Sequence, residues 1–103
     1  MKDSIVKLEL YYGEPQIGRL QVIDGYVEME LLVAGIESNT IKIKACSEKL
    51  VLTIEESRHV PKASFGLRSQ NLDFRAMDYY KRDGILFITI PILEELKNIN
   101  ITI

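Results

Sequence analysis

Residues 76–91 read AMDYYKRDGILFITIP and carry the clearest structural signal in the chain. Asp83-Gly84 separates a polar run from ILFITI (85–90), which is apolar at nearly every position. An Asp-Gly pair between two strand-like runs is a strong hairpin signal. A run that is apolar on both faces is typical of a central strand covered on both sides. We therefore predict a β-hairpin whose second strand lies in the middle of a sheet and ends at Pro91.

The same period of two extends through most of the chain. In IKIKA (41–45), the isoleucines and the alanine share one face and the two lysines share the other. A second Asp-Gly pair, Asp24-Gly25, predicts another hairpin with a type I′ turn, which needs a positive φ at both central residues. The other runs predicted as strands are IVKLELYY (5–12), IGRLQVI (17–23), YVEMELLV (26–33), LVLTIEE (50–56), ASFGLRS (63–69) and LDFRAMDYY (72–80).

Two segments are less regular. In SRHVPK (57–62), Pro61 is expected to interrupt any β-ladder. ILEELKN (92–98) has room for a turn or two of helix, which is too short to be stable alone. Eight or so short strands joined by turn residues predict an all-β fold, an antiparallel β-sandwich of about 7–8 strands. A chain of 103 residues is long enough for one such domain.

Composition and charge argue against several classes of function. Apolar residues make up 47% of the chain and charged residues 27%, which is typical of a globular domain. The net charge of −2 and the pI near 5.4 give no reason to expect a nucleic-acid partner, which favours a strongly basic surface. No apolar run reaches the ~20 residues that span a bilayer, and the N-terminus lacks a signal-peptide pattern. We expect a cytoplasmic protein with no membrane partner, in which Cys46 is a buried thiol.

The sequence shows no pattern of catalytic or metal-binding residues. The only histidine, His59, lies in the irregular segment with no nucleophile suitably placed beside it. No cluster of histidines and cysteines has metal-ligand spacing. Tyr11-Tyr12 and Tyr79-Tyr80 faintly resemble a stacking surface for single-stranded nucleic acid, but tyrosines at strand ends, half in the core with their hydroxyls in water, are the simpler explanation. We expect a protein that is not an enzyme and has no catalytic residue, metal or cofactor.

Residues 76–91 resemble the signature of the small heat-shock proteins, the α-crystallin domain family. The shared features are an alanine, a short polar hairpin, Gly-aliphatic-Leu, alternating aliphatic residues and a proline. Residues 25–56 resemble the first half of the same domain, in which a strand runs into Leu-x-Gly and two strands follow a turn. The resemblance covers roughly residues 17–91. It implies an immunoglobulin-like sandwich there, with an N-terminal strand segment (1–16) before it and a tail (92–103) after it.

The resemblance also implies a function. It suggests an ATP-independent stress-response chaperone that holds unfolding client proteins and assembles as a homo-dimer or larger homo-oligomer. In this family an Ile-x-Ile tail lies as an extra strand in an apolar groove at the sandwich edge, usually on a neighbouring subunit. The residues that match the tail are Ile99, Ile101 and Ile103, and by family position the groove walls are Ile41, Ile43, Phe74 and Ala76.

Two alternatives remain open from the sequence. Residues 99–103 could instead form the last strand of their own chain's sandwich.

The family's chaperones also carry a long apolar N-terminal arm, whereas about sixteen residues precede the domain here and resemble an ordered strand. Segment 57–71 looks too short for the strand that some members exchange between subunits, and Ala34 replaces a usual proline. These departures favour a co-chaperone or adaptor sandwich, of the CS-domain type or the type associated with ArsA-like ATPases, that docks a folded partner.

Overall fold

The structure, a computed structural model, describes residues 4–57, 60–93 and 99–102. These residues form nine β-strands and two single-turn 3-10 helices, at Ser38–Thr40 and Phe74–Ala76. None of the helices in this part of the chain has the length and apolar character that crossing a membrane requires. In chain order the strands are β1 (Ser4–Tyr12), β2 (Ile17–Ile23), β3 (Tyr26–Leu32), β4 (Ile41–Ala45), β5 (Lys49–Ser57), β6 (Val60–Arg68), β7 (Asp78–Arg82), β8 (Ile85–Pro91) and β9 (Ile99–Thr102).

The strands form two sheets that enclose one core. The larger sheet has the order β4-β5-β6-β1-β9, and the smaller sheet has the order β2-β3-β8-β7. Neighbouring strands are antiparallel except for β1 and β9, which are parallel. Alternate residues of each strand point inward, and the largest fully buried side chains are those of Phe65, Phe74 and Met29. The predicted all-β sandwich is therefore confirmed.

The two Asp-Gly turns have different backbone geometries. Asp83 and Gly84 both have a positive φ, 52° and 78°, as a type I′ turn between β7 and β8 requires. In the turn between β2 and β3, Gly25 has a φ of 80° and Asp24 does not have a positive φ. The predicted type I′ turn is wrong at this position, because a positive φ at the second central residue alone is the pattern of a type II turn.

Strand β8 lies in the middle of the smaller sheet, between β3 and β7, as its apolar run predicts. Only one of its faces is buried: Leu86, Ile88 and Ile90 point into the core, and the residues between them are half-exposed. On the outer face, the ring of Tyr80 stacks on Phe87 with 4.8 Å between centroids. The prediction that β8 is covered on both faces is therefore wrong, because only neighbouring side chains shield its outer face.

The segment predicted as a strand over 72–80 divides into a turn and a shorter strand. Phe74–Ala76 form a 3-10 turn, in which the Met77 N–H donates to the Phe74 carbonyl oxygen at 3.2 Å. Strand β7 begins only at Asp78. Leu72 and Phe74 are both fully buried, and their spacing of two residues is typical of a strand. In the structure, however, this segment forms the connection between the two sheets.

Two further expectations from the sequence are corrected. Pro61 lies within β6, because the pairing of β5 with β6 shifts its register around Glu55 and a proline is tolerated at such an irregularity. Cys46 is exposed, because β4 ends at Ala45 and Cys46 begins the tight turn into β5. Its N–H donates to the carbonyl oxygen of Lys49 at 2.8 Å.

The C-terminal residues extend the larger sheet of their own chain. Strand β9 pairs in parallel with β1, with Ile99 opposite Ser4 and Ile101 opposite Val6. It also lies close to β2 of the smaller sheet, so it covers the rim of the sandwich between β1 and β2. In the single chain, residues 99–102 therefore form the last strand of their own sandwich, which is the second of the two arrangements that the sequence left open for the tail. Outside the described residues lie Ile103, His59 and the 94–98 part of the predicted helical turn.

Candidate protein-binding groove

The opposite rim of the sandwich, between β4 and β7, is bordered by an edge strand. Within the described residues β4 pairs only with β5. The Cys46 N–H bonds the Lys49 carbonyl oxygen, and in an antiparallel ladder such hydrogen-bonded pairs recur at every second residue. The backbone N–H and C=O groups of Ile41, Ile43 and Ala45 therefore point away from β5. They form a row of donors and acceptors to which no described strand is paired.

The side chains of the same three β4 residues line an apolar groove between the two sheets. Strand β4 forms one wall, and β7 with the preceding 3-10 turn forms the other. The groove encloses a cavity of about 400 Å³. Its apolar lining consists of Ile41, Ile43, Ala45, Phe74, Met77 and Leu86, and two tyrosines and two cations complete it.

The structure brings three of the four predicted wall residues together. Ile41 and Ile43 are half-buried, and Phe74 is fully buried. Ala76 is exposed and lies outside the lining, because the 3-10 turn breaks the strand alternation that would have pointed it inward. That these residues bind protein stays a prediction.

Two lining residues were not predicted from the sequence. Leu86 belongs to the inward face of β8, and its place in the ILFITI alternation is a signal that could have found it. Met77 immediately follows the 3-10 turn, and no sequence pattern indicates that its side chain lines the groove.

Among the described residues, those that line the groove include cations at its margin and no acidic residue. Arg75 and Lys81 line the groove and are exposed, and the Lys81 Nζ donates to the Ile36 carbonyl oxygen at 3.2 Å. On the outer side of β4, the alternation that points its apolar residues inward exposes Lys42 and Lys44. A ligand in the groove would therefore have positive charge on both sides of it.

Comparison with known proteins identifies the fold. No protein-family model matches the sequence, and no curated protein does. The structure is similar to that of heat shock protein 16.0 from Schizosaccharomyces pombe, with a TM-score of 0.60 and 15% sequence identity. The match covers 81% of this chain and 69% of that chain. The chain has a small heat-shock-protein-like fold. At this identity the similarity shows the fold alone.

In this small heat-shock-like sandwich, the tail and the groove lie at opposite edges of the larger sheet. Strands β5, β6 and β1 separate β4 from β9. For residues 99–103 to enter a groove, they must first leave β1. The contact between tail and groove therefore stays a prediction.

A polar cluster lies on the outer face of the larger sheet, away from the groove. The Arg68 Nε and the Tyr11 hydroxyl both donate to Glu9 Oε1, at 3.2 and 3.1 Å. The hydrogen bond from Arg68 has the largest effect, and with the bond from Tyr11 it lowers the pKa of the Glu9 carboxyl below its usual value. The Tyr11 ring lies over Gly66, which lacks a Cβ, and the Lys49 Nζ lies 4.8 Å from the ring centroid. The expectation that the tyrosines are half in the core is wrong for Tyr11, which packs on the outside of the sheet.

The described residues contain no group of three or more His, Cys, Asp or Glu side chains that could hold a metal ion. What they do present is an edge strand beside an apolar groove. Such an arrangement can bind an extended polypeptide, by hydrogen bonds to its backbone and by burial of alternate side chains.

Proposed function

We propose that the groove between β4 and β7 binds extended apolar segments of partly unfolded proteins, so that the chain acts as an ATP-independent holdase of the small heat-shock type. The observation that carries this proposal is an apolar groove with an edge strand along one wall. The strand edge suits any extended chain, whereas the groove selects chains with apolar residues at alternate positions. Clients that share exposed apolar segments, and no common sequence, would meet both conditions.

The dimensions of the groove support a weak and reversible complex. Strand β4 offers three inward positions, so an added strand places two or three side chains in the groove. Full burial of one apolar side chain contributes about 1.5–3 kcal/mol, and association costs about 4–15 kcal/mol. Release of a client from such a site needs no ATP.

The tail and the assembly belong to the same proposal. Residues 99–101 have the Ile-x-Ile pattern, so the tail of a second copy that had left β1 would fit the groove and compete with clients. We expect a cytoplasmic homo-dimer or larger homo-oligomer in which such exchange regulates access to the groove.

Light scattering from a heat-denaturing enzyme tests the holdase. The wild-type chain should suppress aggregation at molar excess. Ile43→Ser should weaken suppression, because it removes apolar surface from the groove wall. Leu93→Ser is the matched control, since Leu93 is 56% exposed and lies outside the groove lining. Thermal melts of both variants show whether each is folded at the assay temperature. Equal suppression by folded Ile43→Ser and Leu93→Ser, or none by the wild type, would contradict the proposal.

The adaptor is the second candidate, and one observation favours it. Residues 4–12 form β1, which buries Val6 and Leu8 in the core, so this segment does not serve as a flexible arm for holding clients. Solution mass discriminates between the candidates. A monomer or dimer that suppresses no aggregation supports a sandwich that docks one folded partner, whereas a large polydisperse particle supports the holdase.

A further inference from the structure

We infer that the groove selects extended segments by charge as well as by shape, and prefers segments whose apolar residues alternate with aspartate or glutamate. This inference rests on the proposed function, because it names the class of segment that the same groove takes. It is carried by the positions of four cations around β4 and β7.

Two of these cations lie where the intervening residues of a bound segment would point. In a strand added to β4, residues that face the groove alternate with residues on the outer face of the sheet. Those outer residues lie beside Lys42 and Lys44, at the distance of a cross-strand pair. Lys42 has a 59% exposed side chain and lies 3.8 Å from a Glu55 oxygen, and Lys44 is exposed. A carboxylate on the added strand would thus have at least one lysine directly opposite it.

The other two cations border the groove itself. Arg75 and Lys81 line it, and none of the lining residues that the structure describes is acidic. The whole chain has a net charge of −2, so the charge of the described groove lining is opposite in sign to that of the molecule. A cleft with apolar walls and charges of one sign focuses its field and attracts ligands of the opposite sign.

An extended polypeptide fits this surface better than single-stranded nucleic acid does. Tyr79 and Tyr80 beside the cations would also suit stacked bases and phosphates. Of the six residues in the apolar lining, however, only Phe74 is aromatic, and the N–H and C=O groups of Ile41, Ile43 and Ala45, to which no described strand is paired, match the backbone of another strand. The observations therefore favour a polypeptide.

The inference also ranks the chain's own tail among the ligands. The tail reads INITI over 99–103, with neutral residues between the isoleucines. Because it offers no carboxylate to Lys42 or Lys44, it should bind the groove less tightly than an acidic segment of the same length. Acidic apolar clients would then displace a tail from the groove.

Fluorescence anisotropy with three labelled peptides tests the inference. The peptides contain Ile-Glu-Ile-Glu-Ile, Ile-Asn-Ile-Thr-Ile or Ile-Lys-Ile-Lys-Ile within one common neutral flanking sequence. At low ionic strength, the acidic peptide should bind about three- to tenfold more tightly than the neutral one, from two cross-strand charge pairs. The basic peptide should bind most weakly. The difference should shrink as salt is raised to 0.5 M, because the charges are exposed to solvent.

Three variants identify the cations responsible. Lys44→Gln should reduce the preference for the acidic peptide, and Lys44→Glu should shift it towards the basic peptide. Lys7→Gln is the matched control, since it removes the same charge from an exposed lysine on β1, and it should leave the preference unchanged. Each variant is measured with all three peptides, so a general loss of folding is distinguished from a change in selectivity.

The outcomes separate the inference from the proposed function. Equal binding of the three peptides would overturn the charge preference and leave the groove as a peptide site. Failure of all three to bind would overturn the proposed groove function itself. A single-stranded oligonucleotide that displaced the acidic peptide and bound more tightly than it would overturn the polypeptide assignment.

Discussion

Glu9 shows how single residues hold the N-terminal strand in place. Its carboxylate accepts hydrogen bonds from Arg68 on β6 and from Tyr11 on its own strand. Gly66 on β6 makes this possible, because a Cβ there would meet the Tyr11 hydroxyl at 2.7 Å. The cluster is exposed, so it orders the outer face of the β1–β6 pair and contributes little to the core.

The Glu9–Arg68 contact predicts a pH dependence. The folded state lowers the pKa of Glu9 below its unfolded value of about 4.3. The contact therefore stabilises the fold fully above that value, and the contribution disappears as the pH falls through the folded pKa. In an NMR titration, Arg68→Gln should raise the pKa of Glu9. Arg19→Gln, which breaks the Arg19–Glu30 ion pair on the smaller sheet, should not. An unchanged Glu9 pKa in Arg68→Gln would contradict the assigned cause.

The strands are the elements that the sequence predicts best. A period of two is a property of the chain alone, so IKIKA gives both the position of β4 and the face of each of its residues. The sequence does not reveal the turn at Phe74–Ala76, because two buried residues at positions i and i+2, here Leu72 and Phe74, are also the pattern of a strand. The sequence predicts a buried Cys46, whereas the thiol is exposed, because β4 ends one residue earlier, at Ala45. The family resemblance predicts the groove walls, whereas no sequence pattern predicts Met77, because only the three-dimensional turn brings it into the lining.

The tail strand gives a prediction at the scale of elements. A chain that ends at residue 98 lacks β9 and its pairing with β1. At about 0.5–1.5 kcal/mol for each lost hydrogen bond, the free energy of unfolding should fall by about 1–4 kcal/mol, as measured by urea denaturation. Solution mass reports separately on tails that have left β1 for the groove of a second copy, because loss of those contacts makes the assembly smaller. A smaller assembly with unchanged stability would show that the tail acts between chains.

At the scale of the whole molecule, the two rims of the sandwich differ. The tail covers the rim between β1 and β2, whereas the rim between β4 and β7 keeps an apolar groove and an edge strand. An edge strand beside exposed apolar side chains invites pairing with another chain. Lys42 and Lys44 on that edge hinder pairing with a second copy of β4, because like charges would lie side by side. The same lysines do not hinder an acidic or neutral segment.

The most direct test of this account is NMR mapping of the bound Ile-Glu-Ile-Glu-Ile peptide on the isotope-labelled chain. The account predicts amide shift changes in β4 and β7. It also predicts slower hydrogen exchange at the Ile41 and Ile43 N–H groups, which would become bonded to the peptide. Shift changes confined to β1, β2 and β9, with exchange at Ile41 and Ile43 unaltered, would contradict it.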